Sequence, residues 1–213
     1  MTMSRRAACL PLLALLAAGC ARDGQLADNG VYVTRSGCPQ VAIPAATGDI
    51  TLFDPATSRD ARAIDVVATI TNVRATCTED ATNVVSTATF DVVASRRDAG
   101  QARQVVLPFF TVAMQGGTNV VAKKVGAVAL NFPAGSLRAQ ANSQTTVRVS
   151  RSAVALPAEV QRELTRERRP GDADAAVDPL SNPTIRAAVA RATYEQLIGF
   201  QLTQEQLRYN ATR

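Results

Sequence analysis

Hydrophobic and polar positions alternate with a period of two in the middle of the chain. Ile64, Val66, Ala68 and Ile70 fall on one face, and Asp65, Val67, Thr69 and Thr71 on the other, the pattern of a strand with one side buried. A turn at Glu79-Asp80 and Asn83 leads into a return strand. There Val84, Ala88, Phe90, Val92 and Ala94 share a face opposite Thr87, Thr89 and Asp91. A polar loop from Arg96 to Gln104, containing Gly100, precedes a strand from Val105 to Met114. Gln115-Gly116-Gly117-Thr118-Asn119 reads as a hairpin turn into Val120 to Phe132, and Thr145 to Val154 closes the series. Upstream, Val31-Tyr32-Val33 and Ile50-Thr51-Leu52-Phe53 read as strands, separated by a turn at Ser36-Gly37-Cys38-Pro39 and stopped at Asp54-Pro55. About seven short strands without helical interruption predict an immunoglobulin-like or fibronectin-like antiparallel β-sandwich, with a closed antiparallel barrel as the alternative.

The period changes at Pro157. Glu159, Glu163 and Glu167 interleave with Arg162 and Arg166 at helical spacing, and Pro170-Gly171 ends that helix. Ser181-Asn182-Pro183 supplies a cap and a first-turn proline. Ile185, Val189, Ala192 and Leu197 then predict one helix face, closed by Gly199. Thr203-Gln204-Glu205-Gln206 resembles a capping box for a short last helix through Tyr209. The expected division is a leader over 1–19, a tether over 20–29, a sandwich over 30–156 and a helical C-terminal appendage over 157–213.

The leader changes the picture most. Arg5 and Arg6 precede an apolar run from Ala7 to Leu16, and the segment ends in Leu16-Ala17-Ala18-Gly19-Cys20. The order of charged, apolar and small residues is that of a cleavable export signal, and the run is too short to span a bilayer. The ending resembles the lipobox of bacterial lipoproteins. The resemblance implies cleavage by signal peptidase II before Cys20, a diacylglycerol on its sulfur and an acyl chain, such as palmitate, on its amine. Two or more chains make such anchoring stable. Ala21, rather than Asp, resembles the Gram-negative envelope lipoproteins sent to the outer membrane, so the expected site is that membrane, facing the periplasm.

Four cysteines occur in the chain. Cys9 leaves with the leader and Cys20 is taken by lipid, so Cys38 and Cys77 are expected to form a disulfide in an oxidising compartment.

Candidate chemistry is sparse. The chain has no histidine and no tryptophan, which removes the commonest general base and metal ligand. No catalytic, cofactor-binding or metal-ligating residue is assigned. Asp172, Asp174 and Asp178 are spaced loosely like calcium ligands but lack the glycine and terminal glutamate of an EF-hand, so a solvated linker is expected. Asp49 and Asp54 are the carboxylate pair considered for acid–base work. Asn210-Ala211-Thr212 matches a glycosylation triplet, which carries no meaning in a bacterium. The formal charge is +5, almost all of it arginine, with Lys123 and Lys124 the only lysines. Arg96-Arg97-Arg103 and Arg166-Arg168-Arg169 read either as solubilising charge or as a basic face for headgroups or an acidic partner. The expected function is a non-catalytic, membrane-anchored interaction or envelope-assembly module with a possible envelope protein partner and no nucleic acid. A carboxylate-based cell-wall glycan hydrolase and a carrier of a lipid or other apolar ligand are the alternatives.

Overall fold

Every long period-two stretch is a strand in the computed structural model, which describes residues 36–168, 171–174 and 177–212 together with strand segments at 25–27 and 30–32. The leader, Cys20 and Arg169 lie outside the described residues. The short strands β1 (Gln25–Ala27) and β2 (Gly30–Tyr32) pair only with each other. They are followed by β3 (Gln40–Ala42), β4 (Asp49–Phe53), β5 (Ile64–Glu79), β6 (Asn83–Arg96), β7 (Arg103–Gln115), β8 (Asn119–Phe132), β9 (Arg138–Ser150) and β10 (Tyr194–Phe200). Two four-stranded sheets result, with orders β4-β5-β6-β9 and β3-β10-β7-β8. The chain crosses between them after β3, β6, β8 and β9.

The two sheets share one core. Val66, Ala68, Ile70, Ala88, Phe90 and Val92 from the first sheet meet Leu107, Phe109, Leu130, Phe132, Ile198 and Phe200 from the second. Phe90 and Phe109 contribute an edge-to-face ring pair 5.2 Å apart across that seam. Strand β6 alternates without a break, so Ser86 and Arg96 are buried on the same face as Val84 and Phe90. Beyond the apolar layer, Ser86 Oγ donates to Gln196 Oε1 at 2.7 Å, and Gln196 Nε2 donates to the Thr145 carbonyl at 3.3 Å. This polar link joins the sheets where apolar packing ends.

Three expectations need correction. The expected helix does not continue to Leu197 and Gly199: α3 (Pro183–Ala192) stops, and Tyr194–Phe200 is strand β10 inside a sheet. Tyr194, Gln196, Ile198 and Phe200 are buried on alternate positions, and pairing with both β3 and β7 outweighs the helical spacing of Ile185, Val189 and Ala192. The region 157–213 is therefore not wholly helical. Gly199 serves close packing: a Cβ there would lie 2.7 Å from Thr47 Cβ and 2.9 Å from Phe110 Cζ. Second, the β3–β10 pair is parallel, so the sandwich is not antiparallel throughout. Third, the last expected strand of the sandwich runs over Arg138–Ser150, and Arg151–Val154 forms a short helix, α1. The polar run Gln140 to Gln144 conceals β9's beginning because its partner β6 is the only neighbour in the sheet.

The caps follow the sequence. Asn182 Oδ1 accepts from Thr184 N at 2.9 Å, with Pro183 at the first position of α3. Helix α4 (Gln204–Thr212) begins with the reciprocal bonds of a capping box, Gln206 N to Thr203 Oγ1 at 3.2 Å and Thr203 N to Gln206 Oε1 at 2.9 Å. Helix α2 (Ala158–Thr165) buries Val160 against Ile185 and Ala188 of α3. Cys38 and Cys77 are disulfide-bonded with Cα atoms 6.1 Å apart. Cys77 lies on β5 beyond Thr69, where pairing with β4 has ended, so the bond fastens the N-terminal segment beside that uncovered half.

Candidate functional site

A cleft of about 410 Å³ opens between β4 and α4 and is lined by Phe53, Arg59, Asp65, Arg103, Glu205 and Tyr209, among others. The helix is fixed there by its side chains. Tyr209 packs edge-on to Phe53 at 5.2 Å, and Asn210 Nδ2 donates to the carbonyls of Ala46 at 3.0 Å and Asp49 at 2.7 Å. The asparagine of the glycosylation-like triplet is thus a tie between α4 and the loop before β4.

Both carboxylates in this cleft are engaged by arginine. Arg103 grips Asp65 with two parallel bonds of 2.9 and 2.5 Å, and Arg59 reaches Glu205 at 2.6 Å while stacking over Phe53. The bond from Arg103 holds the Asp65 carboxyl below the usual carboxylate range, with the Arg103 charge adding to it and partial burial opposing. A general acid needs a shift in the other direction. Asp49 and Asp54 do not converge either. They stand at the start of β4 and just past its end, about 16 Å apart at strand rise, and Asp49 Oδ1 accepts from Thr69 Oγ1 at 2.5 Å. Glycosidase carboxylates are roughly 5–10 Å apart.

The Asp65–Arg103 pair carries a pH signature. Its folded carboxyl releases its proton more readily than an unfolded one, so its stabilisation is present above about pH 4 and fades as pH falls through the depressed value. Arg103 is exposed enough for salt to screen the pair. Asp65→Asn should flatten the acid limb of a plot of melting temperature against pH, with a modest loss near neutrality that vanishes as the two curves converge in acid. An unaltered acid limb would assign the acid response elsewhere.

The arginine clusters do not form a basic face. Arg96 is buried, and its guanidinium donates to the carbonyls of Ser136 at 2.7 Å, Gln101 at 2.8 Å, Gly100 at 3.1 Å and Pro133 at 3.1 Å. It lies over the Phe132 ring, 5.3 Å from the centroid. Arg97 donates to Asp98 and to the Arg62 carbonyl. In the second cluster Arg166 bonds Glu163 and Asp174, and Arg168 bonds Glu163 at 2.9 Å. The expected solvated linker is accordingly corrected in part: Asp174 is held by arginine, and Asp178 Oδ1 caps Leu180 N at 2.8 Å. Backbone carbonyls and neighbouring acids satisfy these cations among the described residues, so the charge that sequence counts as available is spent within the fold.

Lys123 and Lys124 differ. They sit at the middle of the first half of β8, which among the described residues is an edge strand paired with β7 on one side only. From Asn119 to Val125 every residue is exposed, including Val120, Val121 and Val125. Odd and even positions alike are exposed, so neither face of the strand is covered there. Sequence alternation does not single this half out, because it is as rich in valine as the buried strands.

No known protein family, curated protein or solved structure matches the chain. Two places in the described fold are open to a partner or ligand, the cleft and the first half of β8. Of the two, the cleft is occupied by mutually satisfied charges, whereas β8 presents unpaired backbone beside exposed apolar side chains.

Proposed function

We propose that the chain is a membrane-anchored lipoprotein whose sandwich acts as a non-catalytic interaction or assembly module in the bacterial envelope. The observation that carries this reading is the bare, apolar edge at Asn119–Ala127 of β8. Soluble proteins blunt such edges or use them to bind. The lipobox-like ending at Cys20 supplies the anchor, on the outer membrane facing the periplasm. Among the described residues no helix is long and apolar enough to cross a membrane, which is compatible with a lipid tether. An immunoglobulin-like or fibronectin-like assignment of the sandwich belongs to the same proposal, supported by two packed sheets with chain crossings between them.

Engagement of Asp65 and Glu205 by arginine, and the separation of Asp49 from Asp54, favour this reading over a glycan hydrolase. A core holding Phe90, Phe132, Phe200, Leu107 and Leu130 favours it over a carrier. The test is affinity capture of the tagged chain from detergent-solubilised envelope. The anchored chain should recover a specific protein that the Cys20→Ser chain recovers far less well. Capture of nothing specific by either form would count against an interaction module.

A further inference from the structure

We propose that the exposed edge of β8 receives an extended acidic segment of another protein as a fifth strand of the β3-β10-β7-β8 sheet. The inference rests on the interaction-module reading and names the partner's chemistry. Backbone geometry provides the first argument. An edge strand offers every second N–H and C=O outward, and nine residues from Asn119 to Ala127 are long enough to hold a strand of ordinary length. The other edges among the described residues differ: β9, the long edge of the facing sheet, buries Ala139, Thr145, Val147 and Val149 and so opens only one face, and the rest are shortened or fastened. Strand β3 has three residues, β4 is overlaid by α4 through Tyr209 and Asn210, and the uncovered half of β5 carries the disulfide.

Side chains select the occupant. Register places Val125 beside Phe110, Ala127 beside Pro108 and Ala129 beside Val106, so these residues share one outward face. Val106 and Val125 are each 55 % exposed. An added strand would lay alternate apolar side chains along that face. Lys123 and Lys124, being adjacent in a strand, project to opposite faces and place a cation on each side of the edge. Lys123 leans over the Phe110 ring at 5.3 Å.

The lysines also discriminate between partners. A second copy pairing antiparallel about the middle of this segment would set the two Lys123 side chains directly against each other, with both Lys124 side chains close by on the other face, and like charges directly opposite are destabilising. An acidic residue opposite each lysine reverses the sign. Charge complementarity thus favours a foreign acidic strand over self-association. Lysine on an edge also deters indiscriminate pairing, so the same two residues exclude neutral strands and admit acidic ones.

The test uses the full mature chain in detergent and a fluorescent ten-residue peptide of alternating valine and threonine with two central glutamates. It should bind roughly tenfold more tightly than the same peptide with central lysines. Methylation of alternate peptide amides should abolish binding by removing ladder donors. The double variant Lys123→Glu and Lys124→Glu should reverse the preference, taking the lysine peptide in place of the glutamate one. Binding indifferent to amide methylation or to the charge exchange would overturn the proposal, as would a β8-mediated dimer in sedimentation. If the peptide fails to bind while envelope capture still recovers a specific protein, strand addition falls and the interaction module stands. If capture fails as well, both fall.

Discussion

Arg96→Ala is expected to destabilise the fold by about 3–5 kcal/mol, a large part of the total for a domain of this size. Four carbonyls from two loops converge on one guanidinium: Gly100 and Gln101 after β6, and Pro133 and Ser136 after β8. These are two of the four places where the chain crosses between sheets. Truncation removes four charge-assisted bonds and leaves partly buried carbonyls short of a donor. It also opens a void beside Phe132. Arg96→Lys should recover only part of the loss, because an ammonium is a compact donor and cannot span the fork of a guanidinium. Urea denaturation of the two variants measures this. Alanine and wild-type midpoints that coincide would show that the loops hold their crossings without Arg96.

Loss of the Cys38–Cys77 bond should lower stability by roughly 2–4 kcal/mol. The closed loop spans 39 positions, for which chain entropy alone gives about 4 kcal/mol before native strain is subtracted. Little else among the described contacts holds the segment around Cys38 to the far half of β5, where Cys77 pairs with Ser86 and not with β4. Cys38→Ala, Cys77→Ala and the double variant should all melt at nearly the same reduced temperature, since each removes one and the same bond. Losses that add in the double variant would mean that the cysteines act separately. Membrane attachment should be unaffected in all three.

Period two made most of the sandwich legible, and the misreadings have identifiable causes. In β6 the alternation that places Val84, Phe90 and Ala94 inward continues to Arg96. Counting by twos would have placed that arginine in the interior; its charge hid the register. In β10 the helical spacing of Ile185, Val189 and Ala192 leads the eye onward to Leu197, although Tyr194, Gln196, Ile198 and Phe200 already alternate. Local spacing could not reveal that β3, some 150 residues upstream, would sit alongside. The disulfide was legible by elimination, because the export and lipidation expected for Cys9 and Cys20 would leave two thiols. Arginine clusters were not, because neighbours such as Glu163 and Asp174 satisfy charges that composition only counts. The exposed half of β8 was hidden for the opposite reason. Its valines look like core until the sheet order leaves that strand at an edge with both faces exposed.

Anchoring through Cys20 is the claim on which the module's location depends, and fatty-acid labelling with palmitate followed by mass analysis of the N-terminal peptide tests it most directly. The account predicts a mature chain that begins at Cys20, carries lipid on that residue and retains the Cys38–Cys77 bond. It also predicts that Cys20→Ser takes up no label and accumulates as an uncleaved or soluble precursor. Label retained by Cys20→Ser, or a mature wild-type chain beginning at another residue without lipid, would contradict the tethered module.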